Sequence, residues 1–381
     1  MKIPSEFDEI RPYEPEELPA VYERLLADDG FRKVIASLYP NVPFEKVAQI
    51  LFQCKDSITF QKTFAYPFLE NLLKGMGCGC EMDSENIDVT KRYTFISNHR
   101  DIILDSAFLA KLLLDAGFST TVEIAIGDNL LARQWINDLV RTCKAFIVQR
   151  SLSPREFLIS SKRMSEYMHF VVNAKHENIW IAQREGRAKD SNDLTQPSIL
   201  KMMCMGGEGS LKQRLKDLHL CPLTISYEYD PCDYLKAKEF QLKRDTDYKK
   251  TKDEDVLNMR IGIFGQKGHV HYHCAPCIDE WIDTLPDDMP KGEFFDIVAD
   301  HISKEIHRNY MIYPCNRIAL DMLEGTTNGG YTDDEKAKFE SYLETQLAKI
   351  DIENADKPFL RERILTMYAN PLRNYDAARK E

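Results

Sequence analysis

The stretch Tyr93-Thr94-Phe95-Ile96-Ser97-Asn98-His99-Arg100-Asp101-Ile102-Ile103-Leu104-Asp105 decides how the chain is read. It opens as a short apolar run rich in β-branched and aromatic residues, breaks at a polar tip, and re-enters an apolar pattern with helical spacing. The tip carries His99, Arg100, Asp101 and Asp105 within seven residues. A histidine at a strand tip serves as a general base when a carboxylate fixes its tautomer and stabilises the imidazolium. Asp101 and Asp105 both offer that carboxylate. A lone His–Asp pair is also what an ordinary capped helix start contains, so the neighbouring stretches must decide.

The same rhythm continues downstream. Strands are expected over 93–97, 121–126, 145–149, 179–182 and 222–228, with helical patterns over 103–116, 132–143, 153–174 and 196–205 between them. Short strands alternating with helices of this length imply an α/β fold with a mixed, largely parallel sheet flanked by helices. Residues 20–76 and those beyond 276 have helical spacing and form N- and C-terminal additions. The expected division is 1–84 helical, 85–280 α/β and 281–381 helical. Residues 1–20, with four prolines, read as an irregular arm. Residues 75–80 read as a connector, and 232–256 as a solvated, charge-dense helix and loop.

Ligands of such sheets sit at the carboxyl ends of strands. Each polar cluster falls just after one. The strand ending at Gln149 delivers Arg150, which either takes a phosphate bidentately or is a plain surface arginine. The 179–182 strand opens into Arg184-Glu185-Gly186-Arg187-Ala188-Lys189. Gly186 permits a tight turn there. Arg184, Arg187 and Lys189 concentrate cations in a chain of net charge −11. That net charge disfavours nucleic acid as a partner.

Ten scattered cysteines, with no export signal at the start, imply reduced thiols in a cytosol. No run reaches the roughly 18 uninterrupted apolar residues of a membrane span. Gly268-His269-Val270-His271-Tyr272-His273-Cys274 reads as a further strand, partly exposed at a sheet edge. Three histidines on one strand face, with Cys274 and Cys277 nearby, raise zinc, but the spacing matches no closed four-ligand pattern.

Taken together, four blocks resemble the glycerolipid acyltransferase family, which includes the glycerol-3-phosphate and 1-acylglycerol-3-phosphate acyltransferases. They are Asn98-His99 with Asp105, Gly127-Asp128-Asn129 with Arg150, Arg184-Glu185-Gly186-Arg187, and Pro222 at a strand start. The resemblance covers about residues 85–280. Asp105 follows His99 after five residues, one more than in the family pattern, and Asp101 after one. The family's arginine after the glutamate falls between Arg187 and Lys189.

The resemblance implies transfer of an acyl group from acyl-CoA or acyl-carrier protein to a glycerol-3-phosphate or 1-acylglycerol-3-phosphate hydroxyl. His99 would be the base, oriented by Asp105, which like the family aspartate precedes a small residue and an apolar helix, with Asp101 as the alternative. Arg150, Arg184, Arg187 and Lys189 would hold the phosphate, with Glu185 and Gly186 shaping the site. It implies no metal and no bound cofactor. It also implies a cytoplasmic protein held peripherally at a membrane, with the helices of 20–76 as the first surface expected to touch it. Rival readings are an O-acyltransferase for another lysolipid or an amino-lipid, a metal-dependent hydrolase built on His99, Asp101, His271 and His273, and an inactive scaffold with an acyl-binding groove.

Overall fold

The protein is described here by a computed structural model covering residues 2–39, 42–76, 79–131, 133–150 and 152–380. Gly77 and Cys78 of the expected connector, and Pro40, Ala132 and Ser151, lie outside them. Seven strands form one sheet: β1 (Cys80–Asp83), β2 (Thr94–Ser97), β3 (Val122–Gly127), β4 (Ala145–Val148), β5 (Asn178–Ala182), β6 (Leu220–Tyr227) and β7 (Val270–Cys274). Their order is β1-β7-β6-β2-β5-β3-β4. β6, β2, β5, β3 and β4 are mutually parallel. β7 runs antiparallel to β6, and β1 parallel to β7. The fold is therefore α/β with a mostly parallel mixed sheet, as the alternating pattern implied.

β2 lies at the centre and is buried along its whole length. Its side chains alternate between two cores, because successive residues of a strand face opposite ways. Ile96 joins Ile179, Tyr167 and Phe295 on one face. Phe95 joins Trp180, Phe108 and Tyr272 on the other. The helices Pro154–Asn173 and Lys291–Arg308 supply the first core, and Leu104–Asp115 supplies the second.

The terminal regions carry their own cores. Leu18–Ala27, Asp29–Leu38 and Phe44–Gln53 bury Leu25, Phe31, Val47 and Leu51 against Trp135 and Leu139. Pro314–Glu324, Asp333–Ala348 and Lys357–Arg379 bury Ile318, Phe339, Leu343 and Ile364. The capping box expected at Thr332 and Glu335 starts the middle one. Among the described residues no helix is long and apolar enough to cross a membrane.

Four local expectations need correction. β7 is not an edge strand, because Cys80–Asp83, which begins at the last residue of the expected connector, pairs along its outer side. Pro222 is the third residue of β6, and the β6–β7 register begins at Leu223, so the missing N–H falls just ahead of it. The helix Asp233–Asp245 is not simply solvated. Lys236 is buried and ion-paired with Asp230, and Glu239 and Gln241 are buried too. The N-terminal arm is irregular but tied down: Ile3, Phe7 and Ile10 are buried, and Ile10 accepts the Ile147 N–H at 2.9 Å.

Phe295 joins the C-terminal helices to the sheet core and is fully buried. Phe295→Ala should cost about 3–5 kcal/mol in denaturant unfolding. Asp233 makes a second test. It accepts hydrogen bonds from Tyr342 (2.8 Å), Tyr368 (2.9 Å) and Gln346 (2.5 Å). Burial, reinforced by the charge of Asp230, pushes its carboxyl up to about 7. The folded state thus holds a proton that the unfolded chain releases near its ordinary carboxylate range. That stability is full below about pH 4 and is lost as pH rises towards about 7. The urea midpoint should fall across that window, with a change on the order of a few kcal/mol. Asp233→Asn should flatten the dependence.

Candidate active site

The polar tip after β2 exists because Asn98 replaces a backbone rung. Its side chain donates to the Ile225 carbonyl and accepts from the Ile225 N–H, both at 2.8 Å. The ladder between β2 and β6 is thereby completed by a side chain, and the main chain is released to turn outward. His99 follows at that turn. Its Nδ1 lies 2.7 Å from Asp105 Oδ2, which leaves Nε2 as the other ring nitrogen. Trp180 packs edge-on against the imidazole, with ring centroids 5.4 Å apart. Trp180 is itself fixed by donating to Ser97 Oγ at 3.0 Å.

The two aspartates do different work. Asp105 Oδ2 also accepts the backbone N–H groups of Arg100 (2.6 Å) and Asp101 (3.0 Å). Asp101 Oδ1 turns away from the imidazole and accepts the N–H groups of Ile103 (2.9 Å) and Leu104 (2.8 Å). It thus caps the start of Leu104–Asp115, satisfying amides that have no intrahelical partner. Burial and the nearby charge of Asp105 raise the Asp101 carboxyl above its ordinary range. A Cβ on Gly262 would fall 2.0 Å from Asp101 Oδ2, so only glycine lets the helix Lys252–Phe264 pack this closely.

The cationic block lies on the same sheet edge. β5 pairs with β2 through Ala182 and Ser97, so the residues after Ala182 emerge beside His99. Gly186 adopts φ +67°, the left-handed turn expected of it. Arg187 Nη2 donates to Asn258 at 3.1 Å, while its buried Nη1 has no partner among the described residues. Arg184 Nε is likewise buried without a partner. Lys189 is paired with Glu239 at 2.5 Å, and burial holds its ammonium below its ordinary range. Arg150 lies 3.5 Å from the exposed Glu185, and its backbone N–H reaches the Asp128 carboxylate at 3.3 Å.

One cavity of about 1570 Å³ takes in His99, Arg150, Arg184, Glu185, Gly186, Arg187 and Lys189. Its remaining lining is mainly apolar. Phe31, Leu51, Phe60 and Phe64 come from the N-terminal helices, and Ile261 and Phe264 from the helix over Asp101. Tyr342, Gln346 and Lys349 come from the C-terminal region. The structure therefore gathers every expected site residue except Asp101 and Asp105 onto the cavity wall, and those two stand directly behind it.

Sequence reading did not find Asn98's ladder, the Trp180 support, or the terminal helices as cavity walls. Only the Asn-His pair carried a local signal for the first of these. The metal-hydrolase constellation is not assembled. Tyr272 donates to the Asp105 carbonyl at 2.8 Å, and strand alternation sends its neighbours His271 and His273 to the other face, where they meet Asp83.

Asn98→Ala would leave the Ile225 N–H and carbonyl unpaired in a buried position. We expect a loss of about 2–3 kcal/mol in chemical unfolding. The His99 imidazole resonances should broaden as the turn loosens.

No family model and no curated protein matches the sequence. Among solved structures, the chain is similar to the 1-acyl-sn-glycerophosphate (LPA) acyltransferase PlsC from Thermotoga maritima. The match covers 76% of this chain and 96% of that one, at 12% identity and a TM-score of 0.37, which is a distant likeness.

Proposed function

We propose that the protein is an acyltransferase that moves a fatty acyl group from a thioester donor to the hydroxyl of a phosphate-bearing acceptor. The observation that carries this reading is that His99, held by Asp105 behind the wall, lines one cavity with the Arg150, Arg184 and Arg187 guanidinium groups and a mainly apolar surface. Nδ1 of His99 donates to Asp105, so Nε2 is free to take the acceptor's hydroxyl proton. The acceptor oxygen attacks the thioester carbonyl, and the tetrahedral adduct collapses with loss of the thiolate, which recovers the proton from the imidazolium. No covalent acyl-enzyme is required. Arg187, Arg184 and Arg150 hold the phosphate and so position the hydroxyl. Glu185 steadies Arg150. The four sequence blocks support glycerol-3-phosphate or 1-acylglycerol-3-phosphate as acceptor and acyl-CoA or acyl-carrier protein as donor.

The product class calls for contact with a membrane. The apolar stripes of the N-terminal helices bury one another, which removes the reason for placing that contact there. Exposed apolar side chains cluster instead at Phe157, Leu158 and Ile159, which are 50%, 61% and 60% exposed, and at Val256, Leu257 and Phe264. The first group opens the helix that follows Arg150. The second lies on the helix that packs against the turn Asp128–Leu130 after β3. Val256, Leu257 and Phe264 line the cavity, and we assign the peripheral membrane contact to both groups. Leu158→Ser with Ile159→Ser should weaken sedimentation with anionic vesicles; unchanged sedimentation refutes the assignment.

A radiolabelled transfer assay over glycerol phosphates, lysophospholipids and amino-lipids tests the reaction. His99→Ala should lower kcat by about 10²–10⁴-fold or more. Asp105→Asn should fall towards it, whereas Asp101→Asn should act chiefly on stability. Arg187→Ala should raise KM for phosphate-bearing acceptors more than for the donor. Full activity in His99→Ala would overturn the mechanism.

A further inference from the structure

We propose that His219, Cys277 and Asp279 form a binding site for a divalent transition-metal cation of the zinc class, fastening the start of β6 to the chain that leaves β7. His219 immediately precedes β6, and Cys277 and Asp279 follow β7. The two segments already touch between the ligands, where the Ile278 N–H donates to the Leu220 carbonyl at 3.0 Å. One nitrogen, one sulfur and one carboxylate oxygen from these side chains lie within 4.8 Å of one another, and the three residues are half-buried. Among the described residues they are the group of histidine, cysteine and acidic side chains that converges in this way.

The donor set selects the cation. A thiolate, an imidazole and a carboxylate together suit zinc, cobalt or nickel, whereas calcium and magnesium ask for oxygen ligands throughout. Three protein ligands leave the fourth tetrahedral position to water. The carboxylate has capacity to spare. Asp279 Oδ2 lies 2.6 Å from His219 Nδ1, while its Oδ1 is buried and has no partner among the described residues. The Nδ1 and Oδ2 atoms already address one point, and a cation there would replace their hydrogen bond with a bond to each. Binding forms three metal–ligand bonds and releases to solvent the Cys277 thiol proton and any proton on the ligating imidazole nitrogen.

The site is separate from the acyl-transfer cavity. His219 stands at the amino end of β6, and the candidate active site stands at the carboxyl end of the parallel strands. Its role is therefore to fix register between β6 and β7, and it does not depend on the proposed reaction. It also differs from the histidine-rich strand, whose His269, His271 and His273 pair with Glu81 and Asp83 of β1.

The test uses the full chain, stripped of metal by a chelator and titrated with cobalt(II). One equivalent should bind and produce thiolate-to-cobalt charge-transfer absorption in the near ultraviolet, which zinc then abolishes by displacement. Zinc should raise the thermal midpoint. Cys277→Ser should remove the absorption, and His219→Gln should weaken cobalt binding by roughly tenfold or more. His271→Ala should leave both unchanged. Circular dichroism establishes that each variant is folded, and His219→Gln keeps the test decisive if Cys277→Ser is not. Absence of the charge-transfer band in folded wild type, or its persistence in folded Cys277→Ser, would overturn the proposal.

Discussion

Asp105 Oδ2 is the atom on which the candidate site turns. It is fully buried and accepts from His99 Nδ1 and from the amides of Arg100 and Asp101. A buried carboxylate without such donors would be strongly penalised. Hydrogen bonds to a charged group contribute about 1.5–3 kcal/mol each, enough together to hold it there. Its place in the first turn of Leu104–Asp115 adds the favourable end of the helix dipole. The two amides must point inward to reach one oxygen, so the chain from His99 to Leu104 is wound around it. The imidazole orientation follows from that winding. Asn98 completes the arrangement from the strand side, because it keeps β2 and β6 joined while the backbone departs.

A layer of buried ion pairs fixes this turn to distant parts of the chain. Arg100 Nη2 meets Asp193 at 2.6 Å, and Tyr310 donates to the same carboxylate oxygen at 2.5 Å. Lys236 pairs with Asp230, whose carboxyl is held below its ordinary range despite burial because that ammonium stands beside it. Each of these cations meets an acidic residue beneath the turn. Arg184 and Arg187 line the cavity, and each has one buried nitrogen without a partner among the described residues. In a chain of net charge −11, grouping these guanidinium charges on its wall concentrates positive potential there.

The parts legible in the sequence are those set by local pattern. The five parallel strands and the helices between them follow from apolar runs whose length and spacing distinguish them, and each was placed to within a few residues. The His99 tip was visible and Asp105 was the favoured partner, but the sequence left Asp101 as an alternative that only the fold removes. Asp101 is nearer in sequence, yet it lies where a helix cap is needed, and the chain must wind past it before a carboxylate can reach the imidazole. Likewise, the pairing of Lys189 with Glu239 and of Arg187 with Asn258 depends on helices 50 and 71 residues away. β1 is short and half-polar, so nothing local marks it as a strand; β7 provides the ladder that makes it one. Lys236 reads as solvent-facing until Asp230 and the C-terminal helices surround it.

The terminal helical regions are the least legible part, and the cavity gives them a physical reason. Unpaired guanidinium donors and a long apolar wall conflict if one small surface must carry both, because burying a charge beside apolar groups without a partner is costly. Here they are separated. The cations sit at the strand tips, and the apolar wall is built by the N-terminal helices together with Leu104–Asp115 and Lys252–Phe264. A small polar substrate would cover the cations and leave the apolar wall wet. A purely apolar one would leave the cations desolvated and unpaired. The proposed substrate pair, with a charged end and a long apolar end, would meet both demands, its phosphate at Arg184 and Arg187 and its chain along Phe31, Leu51, Phe60 and Phe64. His99 lies where the two regions join, which is where a bond between a polar acceptor and an acyl chain would have to form.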